Sequence, residues 1–112
     1  MLRGEIWWAS LPAPRGSEPG CRRPVVIVQS NAFNNSNIST VLVAAISSNI
    51  RLSEAPGNAY LKRRESGLSK DSIINVSQLL TLDKRYLTEK IGKLSSKCLV
   101  ELDEGLRLIL SI

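Results

Sequence analysis

The chain has 112 residues, 43% hydrophobic and 22% charged, which suits one water-soluble domain spanning 1–112. It carries no histidine, which removes the commonest general base and metal ligand, and its net charge of +5, with a pI near 9.6, points to an anionic partner. The apolar runs at 25–28 and 41–46 are too short to cross a bilayer, and the opening MLRGEIWW has no long apolar core, so a cytoplasmic protein without membrane association is expected.

Residues 4–11, rich in Ile and Trp, read as a first strand, and adjacent Trp7 and Trp8 should point to opposite faces. One belongs to the core; the other could form a stacking platform for a base. Residues 12–20, PAPRGSEPG, form a loop, because its prolines remove donors and its glycines favour turns. A second strand covers 22–29, with Pro24 near its start, where a missing N–H costs least. The Asn-rich stretch 30–36 suits a turn or one helical turn. Residues 40–46, TVLVAAI, are apolar on both alternating faces, as in a central strand covered on both sides.

A second loop covers 47–57, a short strand 58–62, and a basic turn runs on through Gly67. Residues 72–79 read as another strand, followed by a turn at 83–86. Strand and helix are not separable by pattern over 87–94. Ser95 or Ser96 supplies an N-cap, and Leu99, Leu102, Leu106 and Leu110 recur at helical spacing to the C-terminus. Several short strands and one closing amphipathic helix predict an α+β fold, mainly β, of the small-barrel kind.

Chemistry is sparse. Cys21 and Cys98 make neither a disulfide framework nor a zinc site, and no carboxylate cluster or phosphate-binding glycine loop is present, so neither metal nor cofactor is expected. Positive charge collects before residue 71, through Arg3, Arg15, Arg22, Arg23, Arg51, Lys62, Arg63, Arg64 and Lys70. Arg22 and Arg23 stand at the mouth of an apolar strand. A solvated pair protecting a strand edge is one reading; phosphate binding by planar guanidinium donors is the other. Ser47 closes the two-sided strand, which would hold its hydroxyl firmly, but neither a histidine nor a GxSxG elbow could make it a hydrolase nucleophile. Glu18, within GSEPG, is either a solubilising loop charge or a carboxylate beside the arginines.

Taken together, GEIWWASL, GSEPGCRRPVVIVQ, VLVAAISS and SIINVSQLLTLDKRYL resemble the MazF/PemK family of type II toxin ribonucleases, in the same order and spacing over nearly the whole chain. The resemblance implies an SH3-like barrel with a terminal helix, acting as a homodimer. It implies cleavage of single-stranded RNA without a metal, and inhibition by a cognate antitoxin with an acidic tail. Residue by residue, it makes Arg23, Ser47 and Glu18 the catalytic candidates. It makes Arg22, Ser17, Gln78, Ser77, Arg15 and Lys70 the substrate-binding candidates. Two positions depart from the family pattern: Ser77 stands where a carboxylate is frequent, and Asn75 where some members have arginine. Pro19 replaces the usual glutamine of the GSE loop. Two other readings remain open: a non-catalytic SH3-like RNA-binding module, and a CcdB-like gyrase poison, although the C-terminal Leu110-Ser111-Ile112 lacks the tryptophan of that mode.

Overall fold

Period-2 alternation carries the chain through β1 (Glu5–Leu11), β2 (Cys21–Ile27) and β3 (Thr40–Ser47). Short β4 (Ala59–Leu61), long β5 (Ser72–Asp83) and β6 (Leu87–Lys93) complete one antiparallel sheet in the order β4-β5-β3-β2-β1-β6. The computed structural model describes residues 1–11 and 21–112. The loop expected over 12–20, with Arg15, Ser17 and Glu18, and the Cys21 side chain lie outside the described residues. Single helical turns α1 (Asn31–Asn34) and α2 (Arg63–Ser66) follow β2 and β4, and α3 (Ser96–Leu110) ends the fold. The result is a curled, half-barrel sheet with a terminal helix, α+β and mainly β, as the sequence predicts.

Both faces of the sheet are covered. Ile6, Val26, Ala44, Ile46, Ile74 and Val76 pack beneath Cys98, Leu102 and Leu106 of α3. On the opposite face Ala9, Val25, Ile27, Val41, Val43, Leu82 and Leu87 form a second cluster, joined by Trp7. Trp8 packs against the first cluster, so the adjacent tryptophans do divide between faces. The Arg3 guanidinium links the sheet to α3, donating to the Val28 carbonyl at 2.9 Å and to Asp103 Oδ1 at 2.7 Å.

Several expected boundaries shift. β2 ends at Ile27 because Gln29 turns its side chain across the strand exit. Its Nε2 donates to Asn34 Oδ1 and the Thr40 carbonyl, and its Oε1 accepts from the Leu42 N–H. A 3-10 turn, Ile50–Glu54, interrupts the second loop, capped by the Asn49 side chain. β5 runs to Asp83, so Gln78 lies within the strand and does not end it. Residues 87–93 are strand, and Ser95 is the N-cap of α3, its Oγ accepting from the Cys98 N–H at 3.2 Å. The buried stripe of that helix is Cys98, Leu102, Gly105 and Leu106, while Leu110 is half exposed.

Candidate active site

Register at the ends of β1, β2 and β3 assembles the site. Ala9 pairs with Arg23, and Trp8 with Pro24. Val25 pairs with Ala45 on β3, so the same antiparallel step carried two residues further sets Arg23 across from Ser47. Because side chains alternate, Arg23 and Ser47 share one face, while Arg22, Pro24 and Trp8 share the other. At the mouth of the curled sheet the two faces meet. A cleft of about 270 Å³ is lined there by Trp8, Arg22, Arg23, Pro24, Ile46, Ser47, Ser48, Leu68, Ser69, Lys70 and Ser72.

Of the residues the sequence selected, the structure thus brings Arg22, Arg23, Ser47 and Lys70 to one place. The Ser47 Oγ accepts from the Asn49 N–H at 3.1 Å, which leaves its own proton able to point into the cleft. Arg22 lies over the Trp8 ring, 4.5 Å from its centroid, and donates to Glu89 Oε2 at 2.8 Å. Lys70 arrives on the segment after α2, where its carbonyl accepts from Ser72 Oγ at 3.1 Å. Among the described residues the lining holds three cations, Arg22, Arg23 and Lys70, and no carboxylate, so the cleft is built for an anion.

Ser77 and Gln78 do not line this cleft. They sit at a break in the β3–β5 register, where Ala44 pairs with Leu79 but Ala45 with Asn75. The Asn58 Oδ1 accepts from the Val76 N–H at 3.0 Å, and Asn75 Oδ1 accepts from both the Ser77 N–H and its hydroxyl, at 3.2 and 2.7 Å. The two departures from the family pattern, Asn75 and Ser77, therefore bond to each other.

Nearby carboxylates are occupied. Asp71 Oδ1 accepts from the Arg63 N–H and its Oδ2 from the Tyr60 hydroxyl, and these bonds, the backbone one first, hold its pKa below the ordinary carboxylate value. Glu89 is spent on Arg22. Sequence reasoning missed Ser48, Leu68 and Ser69 in the lining, and Glu89 beside it. Ser48 directly follows Ser47 at the exit of β3, Leu68 and Ser69 follow from a chain path around α2 that has no local pattern, and Glu89 follows from the β1–β6 pairing of Trp8 with Glu89. Among the described residues no group of three or more His, Cys, Asp or Glu could hold a metal, and no helix is long and apolar enough to cross a membrane.

The fold is shared with solved toxin structures. An endoribonuclease in complex with its cognate antitoxin, from a mycobacterial species, superposes with a TM-score of 0.78 at 21% identity, covering 100% of this chain and 96% of that one. The MazE–MazF complex (Form-II) of Deinococcus radiodurans gives 0.83 at 20% identity, covering 100% and 96%. In sequence, the chain is 42% identical over 112 residues to Endoribonuclease MazF6 of Mycobacterium tuberculosis, covering all of this chain and 98% of the relative. The family described as "PemK-like, MazF-like toxin of type II toxin-antitoxin system" matches residues 2–110, and the chain belongs to that family.

Proposed function

We propose that this chain, acting over 1–112 as a single cytoplasmic domain, is a metal-independent endoribonuclease toxin that cleaves single-stranded RNA with sequence preference. The observation that carries the reading is the convergence of Arg23 and Ser47 with Arg22 and Lys70 in one cationic cleft of a MazF-like toxin. Membership of that family favours cleavage over the non-catalytic module and the CcdB-like gyrase poison.

The residues suit an internal transesterification. The ribose 2′-oxygen attacks the adjacent phosphorus, a 2′-O–P bond forms and the P–O5′ bond breaks. The products end in a 2′,3′-cyclic phosphate and a 5′-hydroxyl. Arg23 stabilises the charge that builds on the phosphorane, a preorganised contribution of about 3 kcal/mol by analogy with oxyanion donors. A guanidinium does not give up its proton in proteins, so the 2′-hydroxyl proton goes elsewhere. Glu18 is assigned that proton, and the Ser47 hydroxyl orients the phosphate or relays a proton to the departing 5′-oxygen. Arg22 and Lys70, with Arg15, Ser17, Ser77 and Gln78, hold the flanking RNA. The same cationic surface suits the acidic, disordered tail of an antitoxin, which would block it, and the active species is a homodimer.

Incubation of the purified protein with single-stranded RNA in EDTA tests this reading. Fragments ending in 2′,3′-cyclic phosphate are expected from the parent. Arg23→Ala and Ser47→Ala should lose cleavage with the fold intact, and Glu18→Gln should lose the acid-side rise of the pH–rate profile, which reports deprotonation of the base. RNA that is bound but stays whole would favour the non-catalytic module instead.

A further inference from the structure

The two arginines of the cleft are held differently. Among the described residues no carboxylate pairs with Arg23, whereas Arg22 is fixed from two sides. The cause is register: Trp8 on β1 pairs with Pro24 of β2 on one flank and with Glu89 of β6 on the other. Arg22, two residues before Pro24 and on the same face, reaches across the indole to the Glu89 carboxylate. The ring contact and the ion pair act along the same path, one beneath the guanidinium and one at its far edge. Both charged side chains stay open to solvent, 54% exposed for Arg22 and 66% for Glu89, so the clamp is weak enough to be exchanged.

We propose that Glu89 is a positioning residue for RNA. By pairing with Arg22 it keeps that guanidinium over the Trp8 ring, so RNA meets Arg22 as a stacking face and takes its phosphate contacts from Arg23 and Lys70. This rests on the ribonuclease reading. A carboxylate and a phosphodiester compete for the same donors, and a planar guanidinium already spent on one is not available to the other. Its outer face remains open to a nucleobase, the mode by which arginine planes receive unpaired bases. Glu89 thereby removes one cation from the phosphate track and adds one platform beside the scissile position.

The test uses a single-stranded oligonucleotide carrying 2′-O-methyl groups, which lacks the attacking hydroxyl, bound at a series of salt concentrations. Glu89→Gln should bind several-fold tighter at low salt. Its plot of log affinity against log salt should steepen by about 0.7, the increment for one more phosphate neutralised on a single strand. In an Arg22→Ala background the same substitution should deliver less than half of that gain. An unchanged slope, or a gain undiminished without Arg22, overturns the proposal. A second measurement needs no RNA: the Arg22 Hε resonance, displaced by the Trp8 ring current, should move toward the free-arginine position in Glu89→Gln, and a stationary resonance refutes the clamp. If the parent fails to bind the oligonucleotide at all, the ribonuclease reading and the RNA clause of this proposal both fall, and the resonance then judges the clamp alone.

Discussion

At Glu5 a carboxylate is buried in β1 and stays ionised. Burial is the largest influence on it and pushes its pKa up. The Leu2 N–H, the Lys90 ammonium and the Trp7 indole N–H together outweigh that and leave it below the ordinary value. The Leu2 N–H and the indole donate to Oε1 at 2.8 and 3.1 Å, and Lys90 Nζ stands 3.0 Å from Oε2. A carboxylate whose folded pKa is depressed contributes stability above its unfolded pKa, and that contribution is lost as pH falls through the folded one. Glu5→Gln should therefore cost about 1 kcal/mol near neutral pH, and the gap from the parent should close as the solution becomes more acid than the ordinary glutamate value. Urea midpoints for both proteins across pH would show it; a gap constant with pH would mean the packing of the side chain matters and its charge does not. Cys98 behaves in the opposite sense. Burial, then Glu101 and Glu65, pushes its thiol up to about 11, so at neutral pH it is a neutral packing group on the buried face of α3.

Among the elements, α3 and the 48–58 segment meet where neither has room for a side chain. A Cβ on Gly105 would lie 2.0 Å from the Gly57 carbonyl oxygen, and Gly57 itself has φ +82°. Val76, at the β5 register break, closes the contact from below, and Asn58 ties the same segment down by donating to the Leu52 carbonyl and accepting from the Val76 N–H. Helix propensity alone favours alanine over glycine by about 1 kcal/mol. The steric effect is larger and opposite in sign, so Gly105→Ala should destabilise the fold by a net 2–3 kcal/mol or about that. A urea midpoint at or above the parent's would show that the segment gives way freely. Gly105 also marks a limit of sequence reading. The leucine spacing announces the helix and Ser95 its start, since both are local patterns. From sequence, a glycine in that stripe reads as a propensity cost or as a point of close packing, and only the partner backbone at Gly57 decides for packing. The register break in β5 is hidden for the same reason, because it is set by β3 and by Asn58, both distant in sequence.

Across the whole molecule, four of the residues chosen from sequence, Arg22, Arg23, Ser47 and Lys70, line one cleft, while Ser77 and Gln78 do not and Arg15, Ser17 and Glu18 lie outside the described residues. The family resemblance singled out Arg23 and Ser47, the strand pattern alone leaving their charges and hydroxyl open to a solvated reading, and antiparallel pairing then sets them across from each other. Lys70 was visible as charge, but its place in the cleft depends on how the open sheet closes on itself. β4 and β6 are the sheet edges, and between them the closure runs through α2. A Cβ on Gly92 of β6 would lie 2.7 Å from the Ser66 carbonyl oxygen, and one on Gly67 would lie 3.1 Å from the Ile91 carbonyl oxygen. The Ser66 Oγ in turn accepts from the Leu68 N–H at 3.0 Å, which starts the segment whose Leu68, Ser69 and Lys70 line the cleft. Gly92→Ala should therefore push Ser66 outward and carry one wall of the cleft with it. Melting temperature should fall by several degrees, as about 1 kcal/mol does for a domain of this size. RNA cleavage, compared at a temperature where both proteins are fully folded, should fall by about tenfold or more, since small misplacements of a substrate-holding group are costly. Parent-like cleavage under those conditions would show that the seam closes the sheet without setting the cleft wall.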